Sequence, residues 1–143
     1  MRSVLLYITA VALVSTAFAV SAQTPANRPP QQTGGLGGDA THGQYLVEHV
    51  AMCVECHSPR DESGRILQGR EFMGSELPVN TSGWATRAPR NRGLLGYSDD
   101  QAIRLLTEGA IGRHNEQLRP PMPRFRMTRS DAADVIAFLR SLP

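Results

Sequence analysis

Cys53 and Cys56 are the only cysteines in the 143 residues, and His57 follows the second directly. This short stretch constrains the fold more than any other, because each chemistry open to it demands a different scaffold. A redox disulfide of this spacing belongs on a βαβ pattern, and no clear strands flank it. A structural zinc ion takes four ligands. Cys53, Cys56 and His57 would need His49 or His114 as the fourth, and the adjacent Cys56-His57 pair is poorly spaced for one tetrahedral ion. Covalent haem attachment is the third chemistry, and Cys-x-x-Cys-His is its signature. Three residues make nearly one helical turn, so both sulfurs lie on one face. They reach the two vinyl groups on one porphyrin edge, and His57 swings its imidazole beneath the iron.

The first residues point to export. Arg2 is followed by an apolar run from Val4 to Ile8 and from Val11 to Val14, then by small residues at Ala17, Ala19 and Ala22. This pattern predicts a secretory signal peptide over 1–22, cleaved after Ala22. A retained membrane anchor is the alternative, although the apolar run is near the lower limit for spanning. No cysteine lies near the cleavage position, which argues against a lipoprotein. Residues 23–38 are rich in Pro and Gly and nearly devoid of large apolar side chains, so a flexible linker is expected there. The folded domain is then 39–143, a size that gains from an internal cofactor.

Charge excludes some roles. The chain has 15 basic against 13 acidic residues, and removing Arg2 leaves 14 against 13. So near-neutral a chain gives no reason to expect a nucleic-acid partner, and a membrane enters only if the first segment is retained. Every basic residue is Arg.

An electron carrier with six-coordinate iron needs a second axial ligand, usually Met or His. Met52, His42 and His49 share the attachment segment and are poorly placed to cross to the opposite haem face. Met73 lies early, in a polar loop, Met127 reads as a core or lid residue, and His114 is a further option. Met122 sits within Arg119-Pro120-Pro121-Met122-Pro123. Prolines stiffen that loop, which suits a weak thioether ligand that must be held at the metal. Met122 is the preferred candidate.

At these residues the chain resembles the class I cytochrome c family, in particular the small cytochrome domains that accompany periplasmic dehydrogenases. The resemblance rests on Gly43-Gln44-Tyr45-Leu46, Cys53-Val54-Glu55-Cys56-His57, Gly96-Tyr97-Ser98-Asp99-Asp100, the stretch Pro121 to Thr128, and the final stretch Ala133 to Leu142. It spans roughly 40–143 and is loose between His57 and Tyr97. It implies an all-α, compact cytochrome c fold of about three to four helices around one haem c, covalent through Cys53 and Cys56. It further implies His57 and Met122 on the iron, and single-electron transfer without catalysis.

Three helices are legible. The first is expected over about 40–54, capped by Asp39 or Thr41, with Leu46, Val50, Cys53 and His57 on one face. The second is expected over about 99–108, with Ser98 and Gln101 forming a capping box. The third is expected over about 129–141, with Thr128 and Asp131 as its start signal and Val135, Phe138, Leu139 and Leu142 as its apolar stripe. Gly43 offers a place for another helix to cross closely; the resemblance implies that the first and last helices cross, with Gly43 against Phe138 as the candidate contact and packing of each elsewhere in the core as the alternative. The long segment 58–97 would count against a compact domain unless it wraps an apolar cofactor. Trp84 and Tyr97 are expected at the haem edge, as hydrogen-bond donors to a propionate, with Arg87, Arg90 and Arg92 as candidate charges there. Arg119, Arg124, Arg126 and Arg129 gather around the Met122 loop. The expected partners are a periplasmic dehydrogenase or a terminal oxidase. The alternative is an open sixth iron site serving a peroxidase or gas sensor.

Overall fold

The computed structural model describes residues 36–143. The signal peptide expected over 1–22 and most of the linker expected over 23–38 lie outside the described residues. Helix α1 (Ala40–Tyr45) begins where the Asp39 carboxylate accepts from the backbone N–H groups of Thr41 at 2.8 Å and His42 at 3.3 Å. The helix then widens into a π turn, Leu46–Val50, where the Ala51 N–H donates to the Leu46 carbonyl at 2.7 Å. Met52 ends it in a left-handed conformation, φ 54°. Cys53–His57 forms a separate helical turn, α2.

The continuous helix expected over 40–54 is therefore two pieces. A π turn shifts every later side chain around the axis, and the left-handed residue redirects the chain. Leu46 is 8% exposed and Val50 is 57% exposed, so Leu46, Val50, Cys53 and His57 do not form one stripe.

Helices α3 (Asp99–Thr107) and α4 (Arg129–Ser141) follow the sequence signals closely. The Gln101 N–H donates to Ser98 Oγ at 3.2 Å, and the Ser98 N–H donates to Gln101 Oε1 at 2.9 Å. These reciprocal bonds satisfy donors that a helix start otherwise leaves unpaired. Thr128 Oγ1 accepts from the Asp131 N–H at 3.1 Å in the same role. Helix α4 buries Ala132, Ala133, Val135, Ile136, Ala137, Phe138 and Leu139. It is the central helix, touching both α1 and α3.

The α1–α4 crossing depends on Gly43. A Cβ there would overlap the Asp134 carbonyl and meet Phe138 Cβ at 3.0 Å. The expected Gly43–Phe138 contact is present. Gly38 abuts the Ala133 carbonyl in the same way, and Leu36 packs against the core. The packed unit thus takes in the last residues of the expected linker. At the crossing, Asp134 accepts from the Asp39 N–H at 2.6 Å through Oδ1 and pairs with His42 Nδ1 at 2.8 Å through Oδ2.

Residues 58–97 form reverse turns and one small antiparallel ribbon, β1 (Ser75–Glu76) paired with β2 (Arg87–Ala88). Phe72 organises this stretch. Its ring is 1% exposed and meets Phe138 edge-on, with centroids 5.8 Å apart. Its N–H donates to the buried Ser58 Oγ at 3.1 Å. Its carbonyl accepts from the N–H groups of Asn91 and Arg92, both at 3.1 Å. One aromatic in the core thus holds both ends of a long loop, and the fold is all-α apart from the ribbon.

Replacing Gly43 with Ala forces the crossing apart and costs about 1–3 kcal/mol. Gln44→Ala, on the exposed side of the same helix, costs about 0.5 kcal/mol or less. Denaturant unfolding of both variants checks this. The His42–Asp134 hydrogen bond is the main cause that raises the His42 pKa above its ordinary value, with burial opposing it. The folded pKa therefore exceeds the unfolded one. The stabilisation is complete below the unfolded value of about 6.5 and is lost as pH rises through the folded value. The stability advantage of the natural chain over His42→Asn should be larger at about pH 5.5 than at about pH 8.5.

Candidate functional site

A cavity of about 440 Å³ opens between α2, the β2 strand, α3, α4 and the strap that contains Met122. This volume lies within the range of small-molecule and cofactor sites. Its walls are mostly apolar, with Leu94, Leu105, Leu118, Phe125 and Leu139 among them. Cys53, Cys56, His57 and Met122 all line this cavity.

His57 is held from two sides. Its Nδ1 lies 2.7 Å from the Pro89 carbonyl. A carbonyl only accepts, so Nδ1 carries the proton and Nε2 keeps its lone pair. The His57 carbonyl accepts from the Gly74 N–H at 2.7 Å. Gly74, at φ 87°, has no room for a Cβ, which would lie 2.8 Å from the Arg90 nitrogen and 3.0 Å from the Ala88 carbonyl oxygen. The ribbon therefore fixes both the backbone and the ring of His57. Burial pushes the His57 pKa below its ordinary value, and the Pro89 carbonyl opposes that shift. A neutral imidazole with a free Nε2 is the metal-binding form.

Both thiols are unbridged, Cys56 is exposed and Cys53 is largely enclosed. Burial pushes the thiol of Cys53, before attachment, up to about 11. The break at Met52 starts α2 immediately before Cys53, which gives the two sulfurs and the imidazole a helical turn of their own.

Met122 belongs to a strap pinned at three points. The Leu118 N–H donates to the Ala110 carbonyl at 2.9 Å, the Pro120 carbonyl accepts from the Ala85 N–H at 2.7 Å, and the Met127 N–H donates to the Leu106 carbonyl at 3.0 Å. Between these anchors Pro120, Pro121 and Pro123 restrict φ. Of the other residues weighed as sulfur or imidazole ligands, Met73, Met127, His42, His49 and His114 are not in the wall. Met127 packs against the hydrophobic core. Met52 is in the wall, next to Cys53.

Tyr97 is a wall residue, and so are Arg87 and Arg90. Trp84, expected at the haem edge, is not among the wall residues and is 39% exposed. Its neighbour Ala85 takes the wall position, because the Ala85 backbone is drawn to the strap by Pro120. Arg92 is also outside the wall, and one of its N–H groups reaches towards the Gly69 carbonyl at 3.4 Å. Sequence alone does not single out Pro89, Gly74 or Asn91. A glycine in a polar loop gives a weak signal for Gly74, but nothing local marks the Pro89 carbonyl.

The residues fit a covalently attached haem. Two thiols sit beside one Nε2-available imidazole, a thioether lies in the same cavity, and the wall suits an apolar plate. Asn91, also in the wall, has a buried Oδ1 with no hydrogen-bond partner among the described residues. An amide oxygen only accepts; with the amide turned over, its N–H groups would take that position and could donate to carboxylates at a cofactor edge.

Comparison with known proteins agrees. Residues 40–143 match the family profile described as cytochrome c. The chain is 27% identical over 111 residues to the fructose dehydrogenase cytochrome subunit of Gluconobacter japonicus, covering 73% of this chain and 22% of that one. It is 26% identical over 106 residues to a subunit of the nicotinate dehydrogenase of Pseudomonas putida, covering 70% of this chain and 9% of that one. The chain thus spans only a small part of these relatives. With its family-wide match and its paired cysteines at the haem-attachment spacing, the chain belongs to the cytochrome c family and carries haem c bound through Cys53 and Cys56.

Proposed function

We propose that this protein carries single electrons between redox proteins in the periplasm, with His57 and Met122 as the two axial ligands of the haem iron. The observation that carries the reading is the convergence of Cys53, Cys56, His57 and Met122 on one apolar cavity. His57 is also the one histidine in that wall among the described residues. The haem supplies iron that cycles between ferrous and ferric states.

The chain's own residues do the rest. Pro89 and Gly74 orient the imidazole and hold its Nε2 towards the cavity. The proline-framed strap keeps Met122 in place without a strong bond. The apolar wall excludes water. A neutral thioether favours the ferrous state and raises the potential relative to a second imidazole. The family match and the likeness to a dehydrogenase cytochrome subunit support electron transfer as the role.

A dehydrogenase is the proposed donor, on the likeness to cytochrome and other subunits of dehydrogenases. A terminal oxidase is a proposed acceptor. Export rests on the charged, apolar and small-residue pattern of 1–22. Among the described residues no helix is long and apolar enough to cross a membrane.

Expressed in a host able to attach haem, the natural chain should gain the mass of one haem and give a pyridine haemochrome spectrum. The Cys53→Ala/Cys56→Ala variant should gain no covalent haem. An unmodified mass for the natural chain would end the reading. Met122→His should lower the midpoint potential and abolish the sulfur-to-iron charge-transfer band. Met122→Ala should let the reduced protein bind CO rapidly, whereas the natural chain binds it slowly or not at all. Rapid stoichiometric CO binding by the natural chain would point instead to an open sixth site and a gas-binding or peroxidase role.

A further inference from the structure

Away from the haem cavity, three side chains able to ligate a metal converge where α1 crosses α4. His42 of α1 and Asp131 and Asp134 of α4 each offer one ligand atom, and these atoms all lie within 4.8 Å of one another. None of the three lines the cavity. Asp131 and Asp134 are three residues apart in one helix, so their side chains share a face. His42 meets them from the other helix because its neighbour Gly43 lies directly against the Asp134 backbone carbonyl. Two packed helices thus set the spacing of the three ligands.

The ligands are prepared in different ways. Asp134 Oδ1 accepts from the Asp39 N–H at 2.6 Å, while Oδ2 faces the His42 ring, 2.8 Å from Nδ1. A carboxylate anchored through one oxygen presents the other in a fixed direction, as outer hydrogen bonds do for metal ligands. The Asp134 side chain is 13% exposed against 45% for His42, so an ion reaches the cluster from the His42 side. Asp131 donates its backbone N–H to Thr128 Oγ1, but no ion pair among the described residues uses its carboxylate. No arginine pairs with Asp134 either. Two carboxylates therefore stand close together with one imidazole as their only counterpart, and like charges at this range repel.

We propose that His42, Asp131 and Asp134 form a binding site for a divalent first-row cation such as zinc, which clasps α1 to α4. The donor set decides the class of ion. Zinc accepts imidazole nitrogen and Asp oxygen, and it binds through three protein ligands where a fourth position is open to water. Calcium takes six or more oxygen ligands, and magnesium demands a near-octahedral oxygen shell. An imidazole shifts the preference towards zinc, copper and nickel. Bonds of about 2.0–2.2 Å hold ligand atoms at most about 4.4 Å apart. The cluster therefore needs only a slight contraction, which the unpaired Asp131 carboxylate can supply by rotating. The bound ion offsets the charge of both carboxylates and joins the two helices at the point where Gly43 brings them together.

The test uses holoprotein, in which both cysteines are bonded to haem and do not compete for zinc. Equilibrium dialysis against Zn²⁺, read by atomic absorption, should find a single ion bound per natural chain. Asp131→Asn removes one ligand without breaking an ion pair, and it should weaken zinc binding by at least about tenfold. His42→Asn should do the same and serves as the second variant should the first fold poorly. His49→Asn/His114→Asn alters the other histidines outside the cavity wall and should bind zinc as the natural chain does. An excess of Mg²⁺ or Ca²⁺ should leave the zinc in place. An ion that bridges two packed helices binds the folded chain, so zinc should also raise the thermal unfolding midpoint of the natural chain in a concentration-dependent way. The midpoint of Asp131→Asn should not move. No binding by the natural chain at about 1 mM zinc, or equal binding by Asp131→Asn, would overturn the proposal. So would loss of zinc from the His49/His114 variant alone, or its displacement by Mg²⁺ or Ca²⁺. These readouts follow neither electrons nor haem ligation, so their failure leaves the electron-transfer reading untouched.

Discussion

The hydrogen bond from His57 Nδ1 to the Pro89 carbonyl, 2.7 Å long, is the contact around which the rest of the site is arranged. It selects one tautomer of a buried imidazole and leaves the other nitrogen with its lone pair free. For that bond to persist, the Pro89 peptide must be rigid relative to α2. The ribbon provides the rigidity, since Gly74 binds the His57 carbonyl while its bare Cα lets it lie against the backbone of 88–90. The ribbon is in turn anchored by Phe72, whose ring is locked against Phe138 of α4. The orientation of one side chain is thus traceable to a core contact on the opposite helix.

The same logic explains why so much irregular chain is tolerated. A domain of this size with a forty-residue stretch of turns would bury too little on its own. Here the turns spend their backbone hydrogen bonds on each other and on Phe72, while their apolar side chains face the cavity. Haem completes the apolar core that the polypeptide leaves open. Helices α1, α3 and α4 form the scaffold, and the loops form the lining.

Where local signals decide local structure, the sequence is a good guide. Ser98 with Gln101 and Thr128 with Asp131 mark the starts of α3 and α4, because a capping side chain and its amide lie only three residues apart. Gly43 is readable as a crossing point because only a missing Cβ allows two backbones so close. Cys53, Cys56, His57 and Met122 are readable as a group because spacing and proline framing carry their own chemistry. The break at Met52 is not. Left-handed conformations usually announce themselves through Gly or Asn, and a methionine gives no such signal. Phe72, Pro89 and Asn91 escape notice because their roles come from partners far away in sequence. Trp84 is expected at the cofactor by its residue type, whereas the backbone bond from Ala85 to Pro120 puts Ala85 in the cavity wall.

The left-handed residue at position 52 also bears on how this chain can change over time. In one unbroken helix, each residue gained or lost upstream would rotate the imidazole by about 100° about the helix axis. The joint at Met52 cuts that mechanical link. The outer helix can drift in length and packing as selection on α4 requires, while the turn that carries Cys53, Cys56 and His57 keeps its own frame. Sequence diversity ahead of the cysteines is thereby insulated from the orientation of His57.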